Sequence, residues 1–199
     1  MADMIGVFGG TFDPPHQAHY ALAKAAFNNL HLMKVLWVPT SIPPHKSMGA
    51  GAGFEHRIAM VEAVIESEPD FDLSRVDVDR PPPYYAFGTM ELLHEQLHHP
   101  LTYLMGSDSL RDLPSWKSPM RFLDACDHIG VMERATIDLD LEALDLQMPG
   151  LREKITIFPA PLMEISAWEI RRRIREGLPY RDVVHPHVHA YIERHDLYK

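Results

Sequence analysis

Ile5-Gly6-Val7-Phe8-Gly9-Gly10-Thr11-Phe12-Asp13-Pro14-Pro15-His16-Gln17-Ala18-His19 is the stretch from which the rest of the chain is read. Residues 4–8 are an apolar run of strand length, and Gly9-Gly10 breaks it. Pro14-Pro15 then gives a rigid lead into a helical pattern over 16–30. A strand that delivers its chain through a glycine turn to a helix start makes a site for anions. The backbone there can approach a phosphate closely, and the first helical N–H groups have no partners within the helix. Gly9, Gly10, Thr11 and Phe12 are the loop residues placed to meet such a ligand. His16 and His19, three apart, share one face of the first turn. One imidazole can donate to phosphate oxygens, and a pair can hold an oxygen while charge moves. Each piece alone has a plainer reading, as a tight turn or as solvated histidines, but the ordered run is far less common by chance. A metal pair would need a third ligand, and the stretch names none.

The bulk properties narrow the class. At 199 residues and 46% hydrophobic, the chain suits one domain, residues 1–199, with a real core. A formal net charge of -9 argues against a general nucleic-acid-binding surface, though not against a local basic pocket. The single cysteine, Cys126, excludes an internal disulfide framework and fits a reducing compartment. The first strand begins at once, with no room for a signal peptide, and no apolar run is long enough to span a bilayer. The expectation is a soluble cytoplasmic protein without nucleic-acid or membrane partners, and a homo-oligomer is left open.

Strand and helix patterns alternate along the chain. Helical spacing over 17–30 is followed by an apolar strand at 35–38 and a Pro- and Gly-rich loop at 40–53. Lys46 in that loop could reach a triphosphate as a point charge. A helix is expected at 54–67, a strand at 71–78 and a helix at 85–97. A strand at 101–105 ends in Gly106-Ser107-Asp108, at the carboxyl end where open α/β sheets bind ligands. Asp108 reads equally as a ribose contact or as a helix N-cap, and Trp116 as a flat face for a ring or as core. Strands at 128–132 and 155–158 flank an acidic connection at 133–150 that shows no clean period. Ser166 is a plausible N-cap for a helix through Arg175 carrying Arg171, Arg172, Arg173 and Arg175. Four arginines so close cannot all face one way, so most form a solvated face and one or two near the helix start could clamp a phosphate. A last helix is expected over 185–198. The alternation implies an α/β fold, Rossmann-like, with a mostly parallel sheet, right-handed crossovers and helices on both faces of a single domain.

In order, these motifs resemble the nucleotidylyltransferase superfamily and, within it, the bacterial nicotinate-nucleotide adenylyltransferases. Gly6 to His19 is similar to the phosphate loop and paired-histidine motif of that family, and Pro43-Pro44-His45-Lys46 to its second block. Tyr84-Tyr85-Ala86 falls where the family has Ser-Tyr-Thr, and Gly106-Ser107-Asp108 with Trp116 resembles its Gly-x-Asp and downstream tryptophan. Ile165-Ser166-Ala167-Trp168-Glu169-Ile170-Arg171 is similar to its Ile-Ser-Ser-Thr-x-Ile-Arg, and residues 188–198 to its tail. Three departures stand out: Ala18 for a glycine, Ala86 for a threonine, and Ala167-Trp168 for Ser-Thr.

The resemblance implies transfer of AMP from ATP to nicotinate mononucleotide, giving deamido-NAD and pyrophosphate, with Mg²⁺ accompanying ATP. It implies that His16 and His19 hold the α-phosphate, and that Lys46 and Arg171 brace the β- and γ-phosphates. Trp116 and Tyr85 would border the pyridine ring, Ala86 would lie near its carboxylate, and Asp108 near a ribose. Gly106 and Ser166 would complete the nucleotide contacts. Other readings are the same chemistry on nicotinamide mononucleotide or pantetheine phosphate, a nucleotide-binding protein that has lost catalysis, and, less favoured, a metal-dependent hydrolase.

Overall fold

The apolar runs become strands of one parallel sheet in a computed structural model that describes residues 4–40, 51–133, 139–161 and 163–199. In chain order the strands are β1 (Ile5–Gly10), β2 (Lys34–Pro39), β3 (Phe71–Leu73), β4 (Leu101–Gly106), β5 (His128–Met132) and β6 (Ile155–Phe158). They lie side by side as β3-β2-β1-β4-β5-β6, each neighbouring pair parallel. The order reverses between β1 and β4, so the connections leaving these two strands part to opposite sides. The crevice outside their carboxyl ends is where sheets of this kind take ligands.

Helices cover both faces. They are α1 (Gln17–Asn29), α2 (Phe54–Ile65), α3 (Ala86–Leu97), α4 (Ser107–Asp112), α5 (Pro119–Ala125), α6 (Leu141–Gln147), α7 (Leu151–Lys154), α8 (Ala167–Arg175) and α9 (Pro186–Arg194). Successive strand residues point to opposite faces. Phe8, Trp37 and Leu104 therefore join a core with Leu22 of α1, Met60 of α2, Ile170 of α8 and Ile192 of α9. Val7, Val38 and Tyr103 join a second core with Met90 of α3, Leu110 of α4, Phe122 of α5 and Leu144 of α6. A sheet buried on both faces needs apolar residues at consecutive positions, which is why its strands read as unbroken apolar runs.

Four local expectations change. Gly9 and Gly10 do not break the first strand but complete it, paired with Val38 and Pro39. The strand expected over 71–78 stops at Leu73: Ser74 N–H makes a last bond to the Trp37 carbonyl, and the chain then turns to bury Asp77 against Arg80 and Thr89. Part of the acidic connection at 133–150 is helical, because Asp140 caps α6 by accepting from Ala143 N–H while Leu144 and Met148 are buried. The terminal helix is shorter than expected and ends at Arg194, after which Leu197 and Tyr198 fold back into the first core.

Candidate active site

The loop after β1 occupies the carboxyl end of the sheet beside the crevice. Phe12 takes a left-handed backbone, φ 49, which disfavours any residue but glycine. Its ring is what holds it there. The phenyl is 1% exposed and packs edge-on to Phe8 at 5.3 Å, with Trp37 at 5.0 Å and His19 at 5.1 Å. Gly10 leaves the room, since a Cβ on it would sit 2.8 Å from the Phe12 ring. The Phe12 side chain is therefore core, and only the backbone of this residue is left for a ligand to meet.

His16 is the N-cap of α1 and His19 stands at its third position. The imidazoles stack, with centroids 3.6 Å apart and planes 20° from parallel. The His16 N–H donates to His19 Nδ1 at 3.2 Å, and His19 N–H donates to the His16 carbonyl at 2.9 Å. His19 Nδ1 is thus an acceptor, so the neutral ring carries its proton on Nε2 and offers a donor from there. His19 is half-buried, whereas His16 is only 8% exposed.

Arg171, on α8, reaches this loop from a distant part of the sequence. Its Nη1 donates to the Asp13 carbonyl at 2.6 Å and lies 3.7 Å from Asp13 Oδ2. Two other arginines of that helix are engaged locally: Arg172 pairs with Glu169 and Glu176, and Arg173 with Glu169. Ser166 is the N-cap, its hydroxyl accepting from Glu169 N–H at 3.2 Å, so that oxygen is committed to the helix. Trp168, in the first turn, is 60% exposed. Lys46 lies outside the described residues.

Two other groups of expected residues lie on the far side of the crevice. Gly106 closes β4 and is the N-cap of α4, so Asp108 sits inside that helix's first turn rather than capping it. Ser107 is buried, with its hydroxyl donating to the Met132 carbonyl at 2.7 Å. Trp116 is half-buried against Phe122 at 5.3 Å and Tyr103 at 6.3 Å. Tyr85 is the N-cap of α3 and Ala86 its first residue; Tyr85 stacks on Phe87 at 5.4 Å. Arg80 steadies the turn before it, donating to the Pro83 carbonyl at 3.0 Å while paired with the buried Asp77.

The site also contains residues that the sequence reading passed over. Arg57, on α2, is 4% exposed and donates from Nη1 to the carbonyls of Thr11 at 2.6 Å and Thr40 at 2.8 Å. Burial pulls its pKa down, and the nearby Asp13 charge opposes this. Asp13 Oδ1 accepts from Ala52 N–H at 2.9 Å and from the Tyr198 hydroxyl at 2.7 Å. Burial, and next the Asp13 charge, drive the Tyr198 pKa up, so the phenol remains a donor. One sign was present for Arg57: it falls on the apolar side of its helix, in line with Val61 and Val64.

Chemically, backbone amides, an imidazole donor and a guanidinium beside a helix start are the kinds of group that can hold phosphates. Among the described residues, no cluster of three or more His, Cys, Asp or Glu could hold a metal ion. No described helix is long and apolar enough to cross a membrane.

A family model described as cytidylyltransferase-like matches residues 7–173. A probable nicotinate-nucleotide adenylyltransferase of Thermomicrobium roseum is 39% identical, covering 98% of this chain and 91% of its own length. One from Roseiflexus sp. RS-1 is 38% identical over 98% of both. Among solved structures, the nicotinic acid mononucleotide adenylyltransferase of Plasmodium falciparum complexed with NaAD superposes with a TM-score of 0.78. It is 21% identical, covering 98% of this chain and 97% of that one, a likeness of fold.

Proposed function

Because this chain belongs to the cytidylyltransferase-like family and, within it, to the nicotinate-nucleotide adenylyltransferases, we propose that it moves AMP from ATP to nicotinate mononucleotide. In that reaction a 5′-phosphate oxygen of the mononucleotide forms a bond to the α-phosphorus of ATP. The bond from that phosphorus to the bridging oxygen of the β-phosphate breaks, releasing pyrophosphate and leaving deamido-NAD. The attacking oxygen is already anionic near neutral pH, so the protein's task is alignment and charge stabilisation rather than proton abstraction.

The single observation that carries this reading is the first turn of α1, where His16 and His19 stack beside the loop that ends β1. His19, its tautomer set by the His16 N–H, donates from Nε2 to an α-phosphate oxygen. Such a donor strengthens as negative charge builds on the equatorial oxygens. Arg171, anchored by one nitrogen on Asp13, keeps a planar fork of further N–H groups for the leaving pyrophosphate. Lys46 is assigned to the same phosphates. Across the crevice, Trp116 and Tyr85 border the pyridine ring, Asp108 lies near a ribose, and the start of α3 at Ala86 favours a carboxylate. That last feature is what supports the acid mononucleotide over the amide.

A divalent cation fits the donor set as a companion of ATP rather than as a resident of the protein. The carboxylate in the loop, Asp13, is already held by Ala52, Tyr198 and Arg171. Mg²⁺ would be ligated by phosphate oxygens and water, and would supply neutralisation of the triphosphate charge.

Pyrophosphate release with ATP and a panel of acceptors tests the assignment. Nicotinate mononucleotide should be the preferred acceptor, ahead of nicotinamide mononucleotide and pantetheine phosphate. Equal or better use of the amide would overturn the acid preference, and release with none of them would overturn the enzymatic reading.

A further inference from the structure

The loop between β1 and α1 is held from four directions by groups remote in sequence. Arg57 bridges the Thr11 and Thr40 carbonyls, the residues that follow the paired ends of β1 and β2. The ladder makes its last bond there, from Thr40 N–H to the Gly10 carbonyl at 2.9 Å. One guanidinium therefore continues the pairing of the two strands past the point where their own hydrogen bonds stop. Asp13, two residues on, receives Ala52 N–H and the Tyr198 hydroxyl on one carboxylate oxygen, and Arg171 on its carbonyl. Thr40 and Ala52 flank residues 41–50, so the chain on either side of that segment is tied to the same loop.

We propose that Arg57 and Tyr198 are positioning residues, which set the phosphate-binding loop by its carbonyls and by the Asp13 carboxylate without touching the substrates. This rests on the reading of the loop given under the proposed function. Stability alone does not account for the arrangement. Withdrawing a guanidinium from water is costly, and well-packed apolar residues often replace a buried charge network at no loss of stability. The loop has a reason to need fixing: Phe12 is held at φ 49, a conformation that relaxes unless its surroundings dictate it. The imidazoles that meet ATP begin four residues further on. A displacement of about 1 Å in such groups costs on the order of 10²-fold in rate.

The variants are Tyr198→Phe, which removes one oxygen atom and keeps the ring in the core, Arg57→Lys, and Arg57→Met. Each is measured for kcat, for KM of both substrates, for ATP binding by calorimetry and for thermal midpoint. In Tyr198→Phe, kcat with nicotinate mononucleotide should fall about tenfold while the KM of the mononucleotide stays within twofold. Arg57→Met should fall about 10²-fold, with Arg57→Lys between it and the native enzyme. ATP binding should weaken in all three. Native kcat and ATP affinity in both Tyr198→Phe and Arg57→Lys would overturn the proposal. So would a loss that vanishes on cooling well below the thermal midpoint, which marks a stability effect alone. If Arg57→Met does not fold, Tyr198→Phe still decides. The two proposals fail separately: an inactive native protein refutes the adenylyltransferase reading, whereas an active native protein with kcat and ATP binding unchanged in both Tyr198→Phe and Arg57→Lys refutes the clamp.

Discussion

The His16 amide proton points at His19 Nδ1, so one backbone group decides which nitrogen of the second imidazole is the donor. Replacing His19 by alanine removes that donor while leaving the His19 N–H to His16 carbonyl bond in place. Turnover should drop on the order of 10²–10³-fold with little change in far-UV circular dichroism, as for loss of one donor to a developing oxyanion. A drop of less than about fivefold would remove His19 from the mechanism. The shared turn of the histidine pair and the Ser166 cap were legible in the sequence because each acts within a few residues of its neighbours, whereas the pairing of Gly9 and Gly10 with β2 was not. Position near the start of a capped helix marked only one or two of its four arginines, and the family resemblance is what singled out Arg171. Tyr198 and Asp13 could not be paired in this way, since 185 positions separate them and nothing local marks their contact. The burial of Phe12 was not legible for a related reason: nothing local marks its ring as the plug that holds the loop to the core.

Elements add constraints that single residues do not. Helix α1 is tied down on its outer side by Glu68, which accepts from Tyr20 and pairs with Lys24 at 2.9 Å; Lys24 also reaches Asp70 at 3.2 Å. The Tyr20 hydroxyl bond, and after it Lys24, hold the Glu68 carboxyl below its ordinary value of 4.5, against the opposing effect of burial. A depressed folded-state pKa stabilises above the unfolded pKa, and the benefit is lost as pH falls through the folded one. Stability should therefore decline below about pH 4.5 partly through this group, and Glu68→Gln should flatten that limb in denaturant titrations from pH 6 to 3. With side chains 34% and 17% exposed, the pair's contribution is modest, about 1 kcal/mol or less. An acid limb unchanged in Glu68→Gln would remove this group from the account. The boundaries that sequence patterns missed share a cause. β3 is short because the chain leaves the sheet to bury Asp77, and α6 starts at a side-chain cap inside an acidic run whose charges hide the helical period.

For the molecule as a whole, topology does the placing. A parallel sheet reversing between β1 and β4 puts the histidine turn and Arg171 on one lip of the crevice, and Asp108, Trp116 and Tyr85 on the other. Alternating apolar and amphipathic runs made the α/β class readable, because strands buried on both faces leave continuous apolar segments. The close fit of the layers was not readable. A Cβ on Gly130 would come within 2.6 Å of Leu30 and 2.9 Å of Leu104, a constraint visible only once β4 and β5 lie side by side under α1. In the proposed reaction the two lips take the two substrates, which are joined at the α-phosphorus of ATP. The most direct test follows that atom, by incubating the protein with Mg²⁺, nicotinate mononucleotide and ATP labelled at its α-phosphate, then separating the products. The label should appear in deamido-NAD, matched mole for mole by unlabelled pyrophosphate; label recovered only as free AMP, or left in intact ATP, would contradict the account.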